Sequence, residues 1–416
     1  MSLKIVFFNR SFYPDITATG QLLTELCQDL VKDYSCQVTV VTGRPLFGKQ
    51  SRLTDNNGRG IIKRENFEGI EILRLKNTTF QPTSFLGRIC NYLTYFFLSF
   101  IASFKLKKQD LAVTLTDPPI IGLIGLWVSR RFNIPFIISV RDIFPEAARG
   151  LEDSQSKIIN FLLDHINRFC LKKSDHIITL GNVMGKRLIE EKGVRENKVS
   201  IITDWADCAK ILPVSKVNAF SGAYNLVDYF VVMYAGNIGA SSGLEFVIDS
   251  ARLLKNYKDI LFVFIGEGIM KDKLIGLAEG YKLENTKFFP YQSRDTLSDL
   301  FSSADIFIIP LKKNLAGYSI PSKIYPIMAS GRPYVASVEN ESEIAQITQE
   351  FECGLLAQPQ DYQDLTEKIL LFYNNRESRL KMGENARKAA VFFDRRLGVK
   401  KYYELFNKLL SSKKNL

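Results

Sequence analysis

The segment from 319 to 333 combines residue types that suit a phosphate-binding site. An apolar run at 306–311 predicts a strand, and the polar stretch 312–318 after it predicts a loop that leads into a helix. Ser322 is placed to cap that helix, and Lys323 adds a positive charge in its first turn. A helix start also presents free backbone N–H groups and the positive end of the helix dipole, so the combination suits a pyrophosphate. An ordinary helix start in an α/β domain is the competing interpretation.

Two other apolar runs in the second half of the chain end in turns rich in glycine. The runs at 230–235 and 261–265 predict strands, and small residues after a strand allow the backbone to approach a phosphate closely. The turn residues are Gly236 and Asn237 after the first run and Gly266 and Glu267 after the second. In the first half, Thr19 and Gly20 stand just before a predicted helix and allow the same approach, although a plain strand–helix connection explains them equally well.

Composition restricts the class of protein. The chain has 416 residues, of which 46% are hydrophobic and 24% charged, as expected for two folded domains. No pair of its six cysteines has Cys-x-x-Cys spacing, so reduced thiols in a cytoplasmic protein are expected. No cleavable signal peptide is visible, because Arg10 and Asp15 interrupt the apolar start. The net charge of +11 fits a nucleotide substrate or an anionic membrane, and without a nucleic-acid-binding motif we expect no nucleic-acid partner.

The order of elements predicts an α/β protein with two doubly wound Rossmann-like domains. Apolar strands alternate with helix-length segments, and this alternation restarts at 230 after a weakly periodic stretch. We expect the two domains to face each other across a cleft, with ligands beyond the carboxyl ends of the strands. The predicted boundaries are 1–208 for an acceptor-side domain, 209–228 for a linker, 229–390 for a nucleotide-sugar domain and 391–416 for helices crossing back to the first domain.

Five segments together resemble glycosyltransferase family 4, and more narrowly its bacterial polysaccharide branch, including cyanobacterial enzymes of the heterocyst-envelope type. The segments are Phe12-Tyr13-Pro14 with Gly20, the stretch 141–146, the stretch 234–239, the stretch 264–268, and Ile320-Pro321-Ser322-Lys323 followed by Met328-Ala329-Ser330-Gly331. The resemblance covers most of the chain. It implies the GT-B fold and a metal-independent transfer, with retention of anomeric configuration, from a UDP-sugar donor to a saccharide or polyprenyl-linked acceptor.

The resemblance also implies a set of site residues, with neither a metal nor another cofactor. Asp142 and Lys323 would be catalytic, and Arg141 and Asp142 would face the acceptor. Asp142 would orient or deprotonate the acceptor hydroxyl, although a turn residue ahead of Pro145 is an equal interpretation. The residues expected to bind the nucleotide sugar are Thr19, Gly20, Gly236, Asn237, Gly266, Glu267, Tyr291, Tyr318, Ser319, Ile320, Pro321, Ser322 and Lys323.

The chain departs from the family pattern at several of these positions. Asn237 and Ser242 stand where most members have an arginine and a lysine that hold the donor phosphates. Tyr318 and Pro326 stand where two glutamates are usual, and proline offers no acceptor to the ribose hydroxyls. Lys323 therefore remains the best candidate cation for the diphosphate.

Two other functions stay open at this point. A UDP-N-acetylglucosamine epimerase of the same architecture would need histidines in the cleft, and the chain has only His165 and His176, both in predicted structural elements. A non-catalytic nucleotide-sugar-binding assembly partner is compatible with the loss of both glutamates.

A membrane contact is expected from the segment Phe85 to Lys108. It predicts a helix rich in Phe, Leu and Ile with basic flanks, too short and too polar to span a bilayer. An interfacial helix on an anionic lipid surface fits better, and a buried core helix is the alternative. The expected location is cytoplasmic, peripheral on the inner face of the cell membrane.

Overall fold

The structure, a computed structural model, describes residues 2–45, 60–80, 85–150 and 156–414. The chain forms two compact units, and its C-terminal segment belongs to the first of them. Unit 1 comprises Met1–Thr203 and Gly398–Leu416, and unit 2 comprises Asp204–Leu397. The stretch 209–228, predicted as a linker, lies within unit 2, where backbone groups at Leu212 and Val214 donate to the hydroxyls of Ser298 and Ser302.

Within the described residues, unit 1 is built on a sheet of eight strands in the order β3-β4-β2-β1-β5-β6-β7-β8. All neighbours are parallel except β3 and β4, which form an antiparallel edge pair. The strands are β1 (Lys4–Phe8), β2 (Gln37–Thr42), β3 (Ile62–Phe67), β4 (Ile70–Leu75), β5 (Leu111–Leu115), β6 (Phe136–Ser139), β7 (His176–Thr179) and β8 (Val199–Ile201). The helices between them are α1 (Ala18–Lys32), α2 (Phe85–Ser103), α3 (Gly122–Phe132), α4 (Glu146–Gly150), α5 (Lys157–Lys173) and α6 (Asn182–Lys192).

Unit 2 has a six-stranded sheet whose neighbours are all parallel, in the order β11-β10-β9-β12-β13-β14. Its strands are β9 (Phe230–Ala235), β10 (Ile260–Ile265), β11 (Thr286–Phe289), β12 (Ile306–Pro310), β13 (Tyr334–Ser337) and β14 (Gly354–Ala357). Its helices are α7 (Ala219–Ala223), α8 (Glu245–Leu253), α9 (Lys271–Gly280), α10 (Leu297–Ser302), α11 (Ile324–Ala329), α12 (Glu343–Phe351), α13 (Tyr362–Asn374) and α14 (Arg376–Ala390), and α15 (Arg395–Lys414) leads from it into unit 1.

Continuous apolar strands form the core of each unit. Every residue of β5, β10 and β12 is buried, which is the expected state for central parallel strands covered by helices on both faces. The α/β class with two parallel sheets, predicted from the sequence, is confirmed.

Strand register brings the turns of unit 2 to one edge of its sheet. Ala235 at the end of β9 pairs with Ile265 at the end of β10, so Gly236 and Gly266 leave the sheet side by side. Loops beyond the carboxyl ends of parallel strands are where ligands bind in such folds.

Helix α15 completes the core of unit 1. Phe406 is fully buried, and its ring lies 6.4 Å from that of Phe7 on β1. The Tyr402 hydroxyl lies 3.1 Å from the Ser139 hydroxyl at the end of β6.

Two local predictions need correction. Helix α2 ends at Ser103 and not at Lys108, because the chain turns there and buries Leu106 before β5 begins. The edge strand β3 was not expected, because its four central residues are all polar or charged and only Ile62 and Phe67 at its ends are apolar.

Candidate functional site

Two glycines allow the turns after β9 and β10 to touch. Gly236 and Gly266 have φ values of +138° and +146°, and a Cβ at Gly266 would lie 1.9 Å from the carbonyl oxygen of Gly236. A side chain at Gly266 is therefore excluded by both conformation and space. The N–H of Gly236 donates to Ile265 at 2.9 Å, so the two turns are held in register.

The second turn continues this contact. The N–H of Ile238 donates to Glu267 at 2.9 Å, and a Cβ at Gly268 would lie 2.3 Å from the Ile238 carbonyl oxygen. The Glu267 carboxylate pairs with Lys271 at 2.8 Å, which makes Glu267 a structural partner of α9 in this structure. Asn237 is exposed between the turns.

Lys323 projects over the first turn. A Cβ at Gly236 would lie 3.6 Å from Lys323 Cε and 3.7 Å from Nζ, so the side chain runs along the glycine. Its Nζ lies 3.8 Å from the centre of the Tyr234 ring, a cation–π contact. Among the described residues no carboxylate pairs with this ammonium, and burial lowers the pKa of Lys323 to about 7.

Tyr234 supports the lysine and was missed from the sequence. It is buried at the end of β9, and its hydroxyl donates to the Asn237 carbonyl oxygen at 2.5 Å and lies 2.9 Å from the Ser242 hydroxyl. The ring is therefore fixed as a platform beneath the ammonium. The only sequence signal was an aromatic residue two positions before Gly236, which is also an ordinary strand residue.

The start of α11 differs from the expected cap at Ser322. The helix begins at Ile324 with Lys323 in the N-cap position and no side-chain cap. The N–H groups of Ile324 and Tyr325 donate back to Pro321 and Ser322 at 3.4 and 3.3 Å. The N–H groups of the first helical turn are therefore paired with the carbonyl oxygens of the preceding residues. Lys323, and not Ser322, occupies the N-cap position.

The loop before α11 is held by the carboxylate of Glu339, a residue that the sequence analysis did not identify. Glu339, after β13, accepts the N–H groups of Asn314 and Ala316, each at 3.1 Å. The N–H groups of Tyr318 and Ser319 donate to the Leu315 carbonyl oxygen at 3.0 and 3.2 Å. Ile320, Pro321 and Ser322 follow as partly buried residues that carry the chain to Lys323.

Tyr291, two residues after the end of β11, joins the cluster. Its Cε1 would lie 3.5 Å from a Cβ at Gly266. The structure therefore brings four of the expected residues of unit 2 together at one sheet edge: Gly236, Gly266, Tyr291 and Lys323.

Unit 1 has a separate polar cluster at the carboxyl ends of β1 and β5. The guanidinium of Arg10 meets Asp117 through two contacts of 3.2 and 3.1 Å, and it lies 5.5 Å from the Tyr92 ring centre. Burial, with the nearby Asp117 carboxylate next in effect, raises the pKa of Tyr92 to about 12, and Asp142 contributes in the same direction. Asp142 therefore belongs to the surroundings of Tyr92.

The loop that carries Arg141 and Asp142 is fixed by one hydroxyl. Both backbone N–H groups donate to Thr116 Oγ1, at 3.0 and 3.3 Å. Both side chains are partly exposed, as groups that meet a substrate must be.

Thr19 and Gly20 lie in the first turn of α1, whose N-cap is Thr17. A Cβ at Gly20 would lie 3.0 Å from Thr17 Oγ1 and 3.3 Å from the backbone nitrogen of Phe12. The glycine thus allows the preceding loop to pack closely on the helix, and Thr19 is partly exposed beside it.

The glycine turns and Lys323 meet at the carboxyl edge of the sheet of unit 2, the edge at which parallel α/β folds bind ligands. Models of two protein families match the chain. Residues 19–205 match the Glycosyl transferase 4-like domain, and residues 220–389 match Glycosyl transferases group 1. Each match covers most of one unit, and both models describe glycosyltransferase domains. The chain therefore belongs to the glycosyltransferases.

Relatives and solved structures agree with this assignment. The chain is 27% identical over 363 residues to the putative colanic acid biosynthesis glycosyl transferase WcaI of Escherichia coli K12, with 84% of this chain and 86% of that protein covered. It is 22% identical over 263 residues to the N,N'-diacetylbacillosaminyl-diphospho-undecaprenol alpha-1,3-N-acetylgalactosaminyltransferase of Campylobacter jejuni, covering 62% and 67%. The crystal structure of Anabaena HepE with UDP has the same fold, with a TM-score of 0.72 at 16% identity over 98% and 100% of the two chains. The GT-B fold is thereby confirmed.

Replacing Lys323 with methionine should stabilise the protein. The pKa of this lysine falls from 10.5 to about 7 on folding, so the unfolded chain binds more protons between these values and stability rises with pH across that window. Below pH 7 the full cost of burying the ammonium applies. We expect Lys323→Met to raise the free energy of unfolding at pH 7 by on the order of 2 kcal/mol, and by less at pH 9.5. Urea unfolding at both pH values measures this, and a less stable variant at pH 7 would contradict it.

Proposed function

We propose that the protein is a retaining, metal-independent glycosyltransferase that moves a sugar of the glucose or N-acetylhexosamine type from a UDP-sugar to a polysaccharide or lipid-linked oligosaccharide. One observation carries the proposal. The Lys323 ammonium lies between the Tyr234 ring and Gly236 at the carboxyl edge of the sheet, without a carboxylate partner among the described residues. A partly buried cation that is not paired with a carboxylate suits a site whose ligand supplies the negative charge.

Chemically, the diphosphate must leave as the sugar–oxygen bond breaks. Lys323 would stabilise the charge that develops on the leaving oxygen, and it can do so without rearrangement because Tyr234 and Gly236 already fix its position. HepE, which shares the fold, has been crystallised with UDP and with UDP-glucose. These complexes support a UDP-sugar as the donor.

The acceptor side of the proposal rests on Asp142. Its carboxylate would orient or deprotonate the acceptor hydroxyl, and Arg141 beside it would contact the acceptor. The Thr116 hydroxyl holds both backbone N–H groups, so the pair sits on a fixed loop. The name of the Campylobacter relative includes a diphospho-undecaprenol, which supports a polyprenyl-linked acceptor here.

No observation favours the epimerase alternative. His176 is buried at the start of β7, away from the carboxyl edge of the sheet, and lies 2.8 Å from the Ser200 hydroxyl. Burial, together with Lys408 and Lys198, lowers the pKa of His176 to about 4. His165 is exposed on α5, and its ring lies 4.1 Å from that of Phe161 at a tilted angle.

The donor assignment predicts a loss of nucleotide affinity on truncating the lysine. Lys323→Ala should weaken UDP binding by roughly 1.5–3 kcal/mol, the range for a charge-assisted hydrogen bond. Calorimetry with UDP measures the affinity, and release of UDP from UDP-glucose and UDP-N-acetylglucosamine measures turnover. Turnover should survive EDTA, because protein groups meet the charge.

Lys313→Ala provides the matched control, since Lys313 is an exposed lysine in the same loop. Equal affinity of the wild type and Lys323→Ala for UDP would refute the role of Lys323. UDP binding without turnover would support the non-catalytic partner, and a strict need for a divalent metal would overturn the metal-independent mechanism.

We include attachment to the cytoplasmic membrane face in the proposal, because α2 buries polar side chains and exposes apolar ones. The side chains that it turns inward include polar ones, and Asn91, Ser99 and Ser103 are all buried. Its outward stripe is apolar and continues past the end of the helix. It consists of Leu86, Leu93, Phe97, Phe100 and Ile101, followed by Phe104 just after α2, each between 38% and 72% exposed. A helix facing water on that stripe would show the opposite arrangement.

A neighbouring helix extends this apolar face. Trp127 of α3 is exposed, and its ring lies 5.5 Å from Phe100 and 5.9 Å from Phe104. Exposed basic residues adjoin the face, namely Lys105, Lys107, Lys108, Arg130 and Arg131. Among helices in the described parts of the chain, none is long and apolar enough to cross a bilayer. An apolar face with a basic edge suits the surface of an anionic leaflet, where a polyprenyl-linked acceptor resides.

The membrane proposal predicts that apolar contact dominates attachment. Leu93→Ser with Phe97→Ser should abolish co-sedimentation with vesicles of anionic phospholipid at low salt, because both side chains lie on the exposed stripe. Changing Lys105, Lys107 and Lys108 to glutamate should also release the protein, each lysine contributing about 1 kcal/mol that falls with salt. UDP affinity should be unchanged in both variants.

Leu371→Ser with Leu380→Ser is the control, since these leucines of unit 2 are 55% and 52% exposed. If the wild type remains in the supernatant with anionic vesicles at low salt, α2 does not dock on membranes.

A further inference from the structure

A lysine outside the expected site residues is completely buried beneath the loop that carries Asp142. Lys192, the last residue of α6, has no exposed side-chain surface. Its Nζ donates to both oxygens of Glu146, at 2.8 and 2.7 Å, to Asp164 at 2.6 Å and to the Phe144 carbonyl oxygen at 3.1 Å. These contacts use all the donors of the ammonium.

The charges of this cluster balance. Arg168 pairs with Asp164 at 2.6 Å, so two cations face two carboxylates. Burial would raise the pKa of Asp164, but hydrogen bonds from Lys192 and Arg168 outweigh it and hold the pKa below its ordinary value. Ion pairs with such burial contribute little net stability, since desolvation offsets the attraction. The effect of these ion pairs is to fix the positions of the segments that they join.

The geometry that this cluster defines is that of the loop from 141 to 146. Thr116 Oγ1 accepts the N–H groups of Arg141 and Asp142 at the start of the loop. Lys192 holds the Phe144 carbonyl oxygen and the Glu146 carboxylate at its end. Ile143, between the two attachments, is buried. Asp142 therefore projects from a short loop fixed at both ends.

We propose that Lys192 is a positioning residue that, through Glu146 and the Phe144 carbonyl, fixes the Asp142 loop for transfer to the acceptor. This inference rests on the proposed function, because it uses the acceptor role of Asp142. Small displacements of a catalytic group lower the rate strongly, so releasing one end of the loop impairs transfer and leaves donor binding in unit 2 intact.

The test compares Glu146→Gln with wild type, and with Glu190→Gln as a matched control on an exposed carboxylate of α6. Glu146→Gln keeps the shape of the side chain and lets the lysine retain Asp164, which favours folding. Lys192→Met is the second variant, studied well below its own melting temperature. The donor is UDP-glucose or UDP-N-acetylglucosamine, and the acceptor probe is a polyprenyl-diphosphate-linked N-acetylhexosamine. Hydrogen exchange of the 139–147 peptide reports on the loop independently of activity.

We expect faster exchange in that peptide alone, and a kcat for transfer lower by about tenfold or more at unchanged donor KM. Glu190→Gln should match wild type in both readouts. Unchanged loop exchange, unchanged kcat in both variants, or a parallel rise in donor KM would each overturn the positioning role. If the wild type itself releases no UDP from either donor, the proposed function fails first and the cluster is a structural ion pair only.

Discussion

The contact between the Lys323 ammonium, the Tyr234 ring and Gly236 is the interaction on which the proposed donor site depends. An ammonium that lies 3.8 Å from a ring centre, without a paired carboxylate in the described parts of the chain, is costly in the empty protein. Contacts of the surrounding residues hold the lysine in this position. Gly236 lies alongside the lysine side chain, Glu339 accepts two N–H groups of the loop that leads to the lysine, and Ser242 holds the Tyr234 hydroxyl. A diphosphate would supply the missing negative charge.

Parallel sheets explain why this contact and the Asp142 loop lie where they do. In unit 2 the register of β9 and β10 puts two glycine turns side by side, and in unit 1 the ends of β1, β5 and β6 carry Arg10, Asp117 and Asp142. Each unit thus gathers these groups at the carboxyl edge of its sheet, where ligands bind in such folds. The proposed division of labour follows: donor charge is met in unit 2 and the acceptor hydroxyl in unit 1.

Sequence patterns predicted the scaffold well because buried parallel strands read as continuous apolar runs. The run predicted at 230–235 coincides with β9, and the runs predicted at 261–265 and 306–311 match β10 and β12 to within one residue. Long-range partners were not predictable in the same way. Nothing near Lys192 in sequence points to Glu146 and Asp164, which are 46 and 28 residues away, and nothing marks Glu339 as the clamp for a loop before it. Tyr234 was visible only as a strand residue, because its role arises from contact with Lys323, which is far away in sequence.

Calorimetric titration with UDP in buffers of different ionisation enthalpy tests the central claim most directly. If the lysine has a pKa of about 7 in the empty site and is charged beside the diphosphate, binding must take up protons. At pH 8 the account predicts uptake approaching one proton per UDP, on the order of 0.9, and markedly less at pH 6. The Lys323→Met variant should lose this uptake. A binding enthalpy at pH 8 that does not vary with the buffer would contradict the account, because the diphosphate would then lie away from this lysine.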